Sequence, residues 1–286
     1  MRHRVLLSLC ACSTLVLAAC QSGSDADVAR ALQSVNVIDE TNLSDVMLTV
    51  GDPAEAVAYF QRATAERPDR IDLQRGLAKS LVRARKPTEA AAVWAKVLLH
   101  PEAGSIDRLA YAETLIRMNE WDRAEAELNL IPPTHETYDR YRLEAMVADS
   151  NKAWDKADSF YETAAGLTTR PAAVLNNWGY SKLTRGDHAG AERLFAEALR
   201  NDPGRFTTKN NLVLARAGQG KYDLPVMQMT QVERAQLLYT AGLAAIKRGD
   251  VTIGRGLLRE ALETHPQHFD EAARALAALD VGAGQG

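Results

Sequence analysis

The sequence predicts an all-α fold built from about seven antiparallel helix pairs and a capping helix, and three observations predict it. The first is an internal period near 34 residues, carried by an Ala, an aromatic four residues on, an Ala three further and a Pro five further. Ala56, Phe60, Ala63 and Pro68 form one copy, and Ala191, Phe195, Ala198 and Pro203 form another. Looser copies are Ala90, Trp94, Val97 and Pro101; Ala157, Tyr161, Ala164 and Pro171; Ala124, Leu128 and Ile131; and Gly254, Leu258, Ala261 and Pro266. The second is composition: alanine dominates the apolar residues and aromatics are only 6%, which suits helices packed at close range. The third is the recurring proline, which cannot continue a helix and marks where each pair ends.

Taken in order, the chain opens on a basic segment (Arg2, His3, Arg4), an apolar run over 5–17, and Leu17-Ala18-Ala19-Cys20. That order is a secretory signal peptide, and its apolar run is shorter than the roughly 20 residues of a spanning helix. A Cys directly after the small pair resembles the lipoprotein signal of bacteria. The resemblance implies cleavage before Cys20, diacylglycerol transfer to the Cys20 thiol and N-acylation of the new terminus. Residues 1–19 are therefore read as signal peptide, and 20–36 as the lipidated Cys with a polar tether that holds a short helix over 25–32. Gln21 stands where an Asp is linked with inner-membrane retention in enteric lipoproteins, which leans the expected location toward the outer membrane, facing the periplasm.

Counting back from the anchors, repeats begin near residues 37, 71, 105, 138, 172, 206 and 235, so the repeat array covers 37–280. The period and residue pattern resemble the tetratricopeptide repeat, in which two antiparallel helices form one unit and neighbours stack into an α-solenoid. The copy at 172 also carries Trp178, Gly179 and Gly186. Gly179 and Ala191 are placed where the helices of a pair cross, because small side chains let backbones approach. Gly51, Gly186 and Gly249 are placed just past the first helix, in the left-handed position that closes it. Two copies depart. The copy at 105 lacks the turn glycine, and Pro132 ends its second helix early. The copy over 206–234 is degenerate, with Pro225 in its second helix, which is expected to be cut short by an irregular hinge or loop over 221–230. Residues 269–280, with Phe269, Ala272, Leu276 and Leu279 on one face, form the capping helix, and 281–286 a disordered tail.

Charge and cysteine usage narrow the function. Loss of Arg2 and Arg4 takes the formal charge from −3 to −5, which argues against a nucleic-acid surface. Cys10 and Cys12 leave with the signal peptide and Cys20 is consumed by lipid, so the folded part has no disulfide and no cysteine ligand. No HExxH, glycine-rich phosphate loop or nucleophile elbow is present, so no catalytic residue, cofactor or metal is expected. His265 and His268 flank Pro266 without a third ligand nearby and read as exposed turn histidines.

Binding is better supported. In the repeat family the first helix of each pair lines a concave groove, and matching positions here are Asn176 and Asn210, Asn177 and Asn211. Asparagine weakens a helix interior, so a doublet recurring after one repeat needs a reason. A ladder of amides can pair with the backbone of an extended peptide, or the amides can hydrogen-bond locally between repeats. Tyr180 lies beside them. Arg75, Lys79 and Arg83, four apart on one helix, form a basic stripe suited to an acidic segment or C-terminal carboxylate, or a solvated face.

The stretch over 225–238 (PVMQMTQVERAQLL) and its continuation over 258–269 (LREALETHPQHF) resemble the tetratricopeptide lipoproteins of tight-adherence (Flp) pilus systems. The resemblance implies a lipid-anchored scaffold that binds protein partners of the pilus or secretion machinery, a secretin ring among them. Other lipid-anchored adaptors of the same architecture, serving type IV pilus secretins, barrel assembly or cell-wall hydrolases, are the alternative.

Overall fold

The computed structural model describes residues 43–283, with the side chains described to residue 279. The signal peptide, Cys20, the tether with its 25–32 helix and residues 284–286 of the tail lie outside the described residues. The chain divides into two compact units, the first ending at Met118 and the second beginning at Asn119. All regular structure among the described residues is helical.

The first unit holds α1 (43–49), α2 (Pro53–Glu66), α3 (Ile71–Arg83), α4 (Pro87–Val97) and α5 (Ser105–Arg117). Pro53 and Pro87 open α2 and α4, where the missing N–H would be unpaired anyway and the fixed φ suits a helix. Asp52 caps α2 by accepting from the N–H groups of Ala54 and Glu55. The second unit holds α6 (Trp121–Asn129), α7 (Tyr138–Ser150), α8 (Trp154–Gly166), α9 (Ala172–Thr184), α10 (His188–Asn201), α11 (Phe206–Gly218), α12 (Gln231–Arg248), α13 (Val251–Thr264) and α14 (Asp270–Ala283). Within each unit, helices pack on their neighbours in sequence, the nearest-neighbour pattern of a repeat protein. The first helices begin at Ile71, Ser105, Tyr138, Ala172 and Phe206, so the 34-residue period is the length of one helix pair with its turns.

Each second helix drives one large apolar side chain into the stack. Phe60, Trp94, Leu128, Tyr161, Phe195 and Leu258 occupy this place, and all are buried. The rings need a small residue opposite. A Cβ added at Gly179 would lie 2.7 Å from the Phe195 ring, and one at Gly76 would lie 2.3 Å from Phe60. Gly179 and Ala191 thus sit at the α9–α10 crossing, with Ala191 fully buried.

Most turns that follow a first helix use the left-handed conformation, whether or not the residue is glycine. Gly186 and Gly249 adopt it with φ of 85° and 97°, and Gly220 with 78°. Asn119, Arg85 and Lys152 adopt it without being glycine, at φ of 60°, 59° and 57°. Asn119 thereby supplies the turn that the copy at 105 was short of. Gly51 departs from expectation: it lies outside the left-handed region, and its carbonyl instead accepts from the Arg83 guanidinium at 2.8 Å.

The degenerate repeat has the expected irregular segment over 221–230 but differs in its second helix. Its second helix is absent rather than shortened, because residues 219–230 run without helix between α11 and α12. Pro225 has no N–H and disfavours helical backbone at Leu224. Leu224, Met227 and Met229 nevertheless pack against the apolar clusters of α11, α12 and α13, so the segment is a strap that fills the missing helix's place. α12 is the longest described helix, at 18 residues, and begins with a capping box between Thr230 and Glu233. After α13, Phe269 just before α14 and Ala272 within it are buried against α12 and α13, so α14 closes this end of the second unit.

Candidate functional site

The basic stripe belongs to the first unit, and the fold absorbs most of it. Arg75 on α3 pairs in bidentate fashion with Asp107 on α5, at 2.6 and 2.7 Å, and donates to the Glu102 carbonyl. Burial alone would raise the Asp107 carboxyl; the Arg75 guanidinium and the Gly104 N–H outweigh it and hold the group below its usual range. Arg83 donates to the carbonyls of Met47, Leu48 and Gly51 at 2.8–2.9 Å, closing the end of α1. Lys79 remains exposed. The three positions share a helix face, but Arg75 and Arg83 are structural ties, and the stripe does not present three free cations.

The second unit brings most of the amide residues together around one cavity of about 490 Å³. Three first helices, α7, α9 and α11, contribute to its wall, each one repeat from the next. Asn176, Asn177 and Tyr180 line it from α9 and Asn211 from α11. Tyr180 is 54% exposed, so its ring stands at the rim.

The doublets divide their work. The first amide of each doublet ties repeats together: Asn176 Oδ1 accepts from Thr208 Oγ1 at 3.0 Å and from Asn211 Nδ2 at 3.2 Å, and Asn210 Oδ1 accepts from Thr240 Oγ1 at 2.8 Å. Asn210 is not part of the cavity wall. Of the second amides, Asn211 spends one donor on Asn176 and is buried, while half-buried Asn177 faces the cavity. Local bonding between repeats thus accounts for Asn176 and Asn210 and takes one donor of Asn211.

Several wall residues escaped the sequence reading. Trp121 and Trp154 open α6 and α8, 33 residues apart, and both line the cavity. That recurrence at the start of a second helix was the available signal. Asp149 also lines the cavity, and Tyr161 Oη donates to it at 2.8 Å and Ser181 Oγ at 2.6 Å. Burial pushes the Asp149 carboxyl up, against the hydrogen bonds from Ser181 and Tyr161 and the charge of Arg185. Burial and the same carboxylate push the Tyr161 hydroxyl up strongly, so it stays protonated and donates. Asp158, which does not line the cavity, gathers Trp178 Nε1 at 2.6 Å, Lys182 Nζ at 2.8 Å and Arg185 at 2.5 Å. Burial would raise Asp158, and those donors together hold it low.

Elsewhere His265 lies against Phe269 and His268 pairs with Asp270, each at a helix end. No group of three or more metal-ligating side chains occurs among the described residues. No helix among them is long and apolar enough to cross a membrane.

Tetratricopeptide-repeat family models match residues 47–101 and 176–224. No curated protein matches the sequence. Solved structures are similar over most of the chain. The APC/C hetero-tetramer Cut9–Hcn1 matches with a TM-score of 0.58 at 15% identity, over 82% of this chain and 47% of that one. The chain thus spans about half the length of that APC/C chain. A tetratricopeptide repeat protein from Parabacteroides merdae matches with a TM-score of 0.55 at 14% identity, over 82% and 95% of the two chains. The C-terminal part of a repeat-containing protein from Cytophaga hutchinsonii matches with a TM-score of 0.53 at 15% identity, over 82% and 98%. At such identities the shared property is the fold. With repeats matched in both units and helix pairs recurring every 34 residues or so, the chain folds as a tetratricopeptide-repeat protein.

Proposed function

We propose that the protein is a lipid-anchored adaptor of the cell envelope that holds an extended segment of a partner protein in the cavity of its second unit. The observation that carries this reading is the wall itself: Asn177 and Asn211, one repeat apart, stand beside an exposed tyrosine and two tryptophans in a concave site. An amide offers both donor and acceptor to a peptide backbone, and the aromatic faces cover its side chains. Attachment through Cys20 after removal of 1–19 completes the reading, with the outer membrane, periplasmic side, as the location.

The partners are assigned to the assembly or secretion machinery of a tight-adherence pilus, a secretin among them, on the strength of the lipoprotein signal and the stretches 225–238 and 258–269. The test is recovery of crosslinked partners from membranes. Asn177→Ala with Tyr180→Ala is expected to lose the partner while the protein stays membrane-bound, and undiminished recovery overturns the groove. Deletion of the gene is expected to abolish pili and adherence. Intact pili with a failing envelope would instead point to an adaptor for barrel assembly or cell-wall hydrolases.

A further inference from the structure

Among the residues that line the cavity, Asp149 is the only carboxylate, and no lysine, arginine or histidine accompanies it. Its hydrogen-bond partners are the hydroxyls of Tyr161 and Ser181, which orient the carboxylate without neutralising it. The nearby cations have other partners. Lys182 and Arg185 both pair with Asp158, and the Arg185 guanidinium also lies 5.5 Å from the centre of the Trp154 ring.

We propose that the cavity seats a basic side chain, lysine or arginine, of the partner segment, with its methylene stem along the aromatic wall and its cationic head on Asp149. This rests on the groove reading above and names the chemistry of its ligand. Charge complementarity selects the occupant. A half-buried carboxylate held only by hydroxyls gains from an incoming cation, whereas an acidic or apolar side chain would leave its charge uncompensated in a drier site. The faces of Trp121, Trp154 and Tyr180 favour a cation further, through the ring quadrupole. At about 490 Å³ the cavity also takes backbone on either side of that residue, within reach of Asn177. The raised Asp149 carboxyl agrees, since burial, joined by the negative charge of Asp158, outweighs the two hydroxyl donors and the Arg185 charge.

Three ten-residue peptides, identical except for a central lysine, norleucine or glutamate, test this by calorimetric titration of the full chain. Lysine is expected to bind at least about ten-fold tighter than norleucine, with glutamate weakest. Asp149→Asn is expected to bring lysine and norleucine within about two-fold of each other. Tyr180→Ser, on the exposed rim where folding is not at risk, is expected to weaken the lysine peptide several-fold. Equal binding of lysine and norleucine, a preference that survives Asp149→Asn, or no lysine binding up to about 1 mM overturns the proposal. If norleucine binds as well as lysine and Asn177→Ala weakens both, the groove stands and the basic side chain falls. If no peptide binds and crosslinked recovery also ignores Asn177→Ala, both fall.

Discussion

Arg75 and Asp107 join consecutive first helices of the first unit, and their pairing sets a pH dependence. Asp107 titrates below its ordinary value in the fold, so its contribution is complete above the unfolded carboxyl's pKa of about 3.9 and is lost as pH falls through the depressed folded value. Melting of the first unit is therefore expected to drop below about pH 4. Arg75→Ala should cost about 2–3 kcal/mol at neutral pH and flatten that acid limb, which thermal melts across the range would show. Asp149 has the opposite sign. Its raised carboxyl contributes stability below the unfolded pKa that is lost as pH rises through the folded one. Ionised Asp149 therefore costs stability at neutral pH, and Asp149→Asn is expected to leave the melting temperature there unchanged or higher. A clear drop would mean the carboxylate serves packing.

At the scale of elements, the turns and the second-helix anchors decide how well each pair closes. Arg85 and Lys152 hold left-handed backbone at the place where other repeats use glycine, and a Cβ is disfavoured there. Lys152→Gly is expected to stabilise by up to about 1 kcal/mol, read by denaturant melts. Trp94 fills its anchor position completely, yet its Nε1–H is buried without a partner among the described residues. Trp94→Phe should cost far less than Trp94→Ala, for which about 3–5 kcal/mol is expected, because Phe removes the orphaned donor while keeping most of the ring. The 219–230 strap gives a sharper contrast. Half-buried Met227 packs on two apolar clusters, whereas neighbouring Val226 is fully exposed. Met227→Ala should cost about 1–2 kcal/mol and Val226→Ala less than about 0.5. The strap also explains the composition of 225–238: methionines pack, Thr230 caps α12, and Glu233 closes the cap while pairing with buried Lys209 at 3.1 Å.

For the whole molecule, stability rests on packing between neighbouring helices. Residues 43–283 contain no cysteine, so reducing agent is expected to leave the melt unchanged. Cys20→Ser is expected to move the protein from the membrane to the soluble fraction with the same melt, and loss of the fold would contradict a pure anchoring role. The fold was legible in the sequence because one side chain per second helix must be large, its crossing partner small and the helix end proline-marked. Those demands are local in each repeat, and they recur at Phe60, Trp94, Tyr161 and Phe195. The candidate site was legible in part. Asn177, Asn211 and Tyr180 stood out by recurrence or position, and the structure sets them around one cavity. Asn176 and Asn210 looked equivalent to their neighbours but turn toward the next repeat, and Arg75 and Arg83 looked free but are tied. By itself the sequence determined the all-α repeat class, its period and the absence of cysteine from residues 43–283, because these follow from spacing and residue type. Only the tertiary structure decided which polar side chains are spent on the fold and that Asp149 lines one cavity with Trp121, Trp154 and Asn177, because these residues are joined by helix packing, which sequence spacing does not measure.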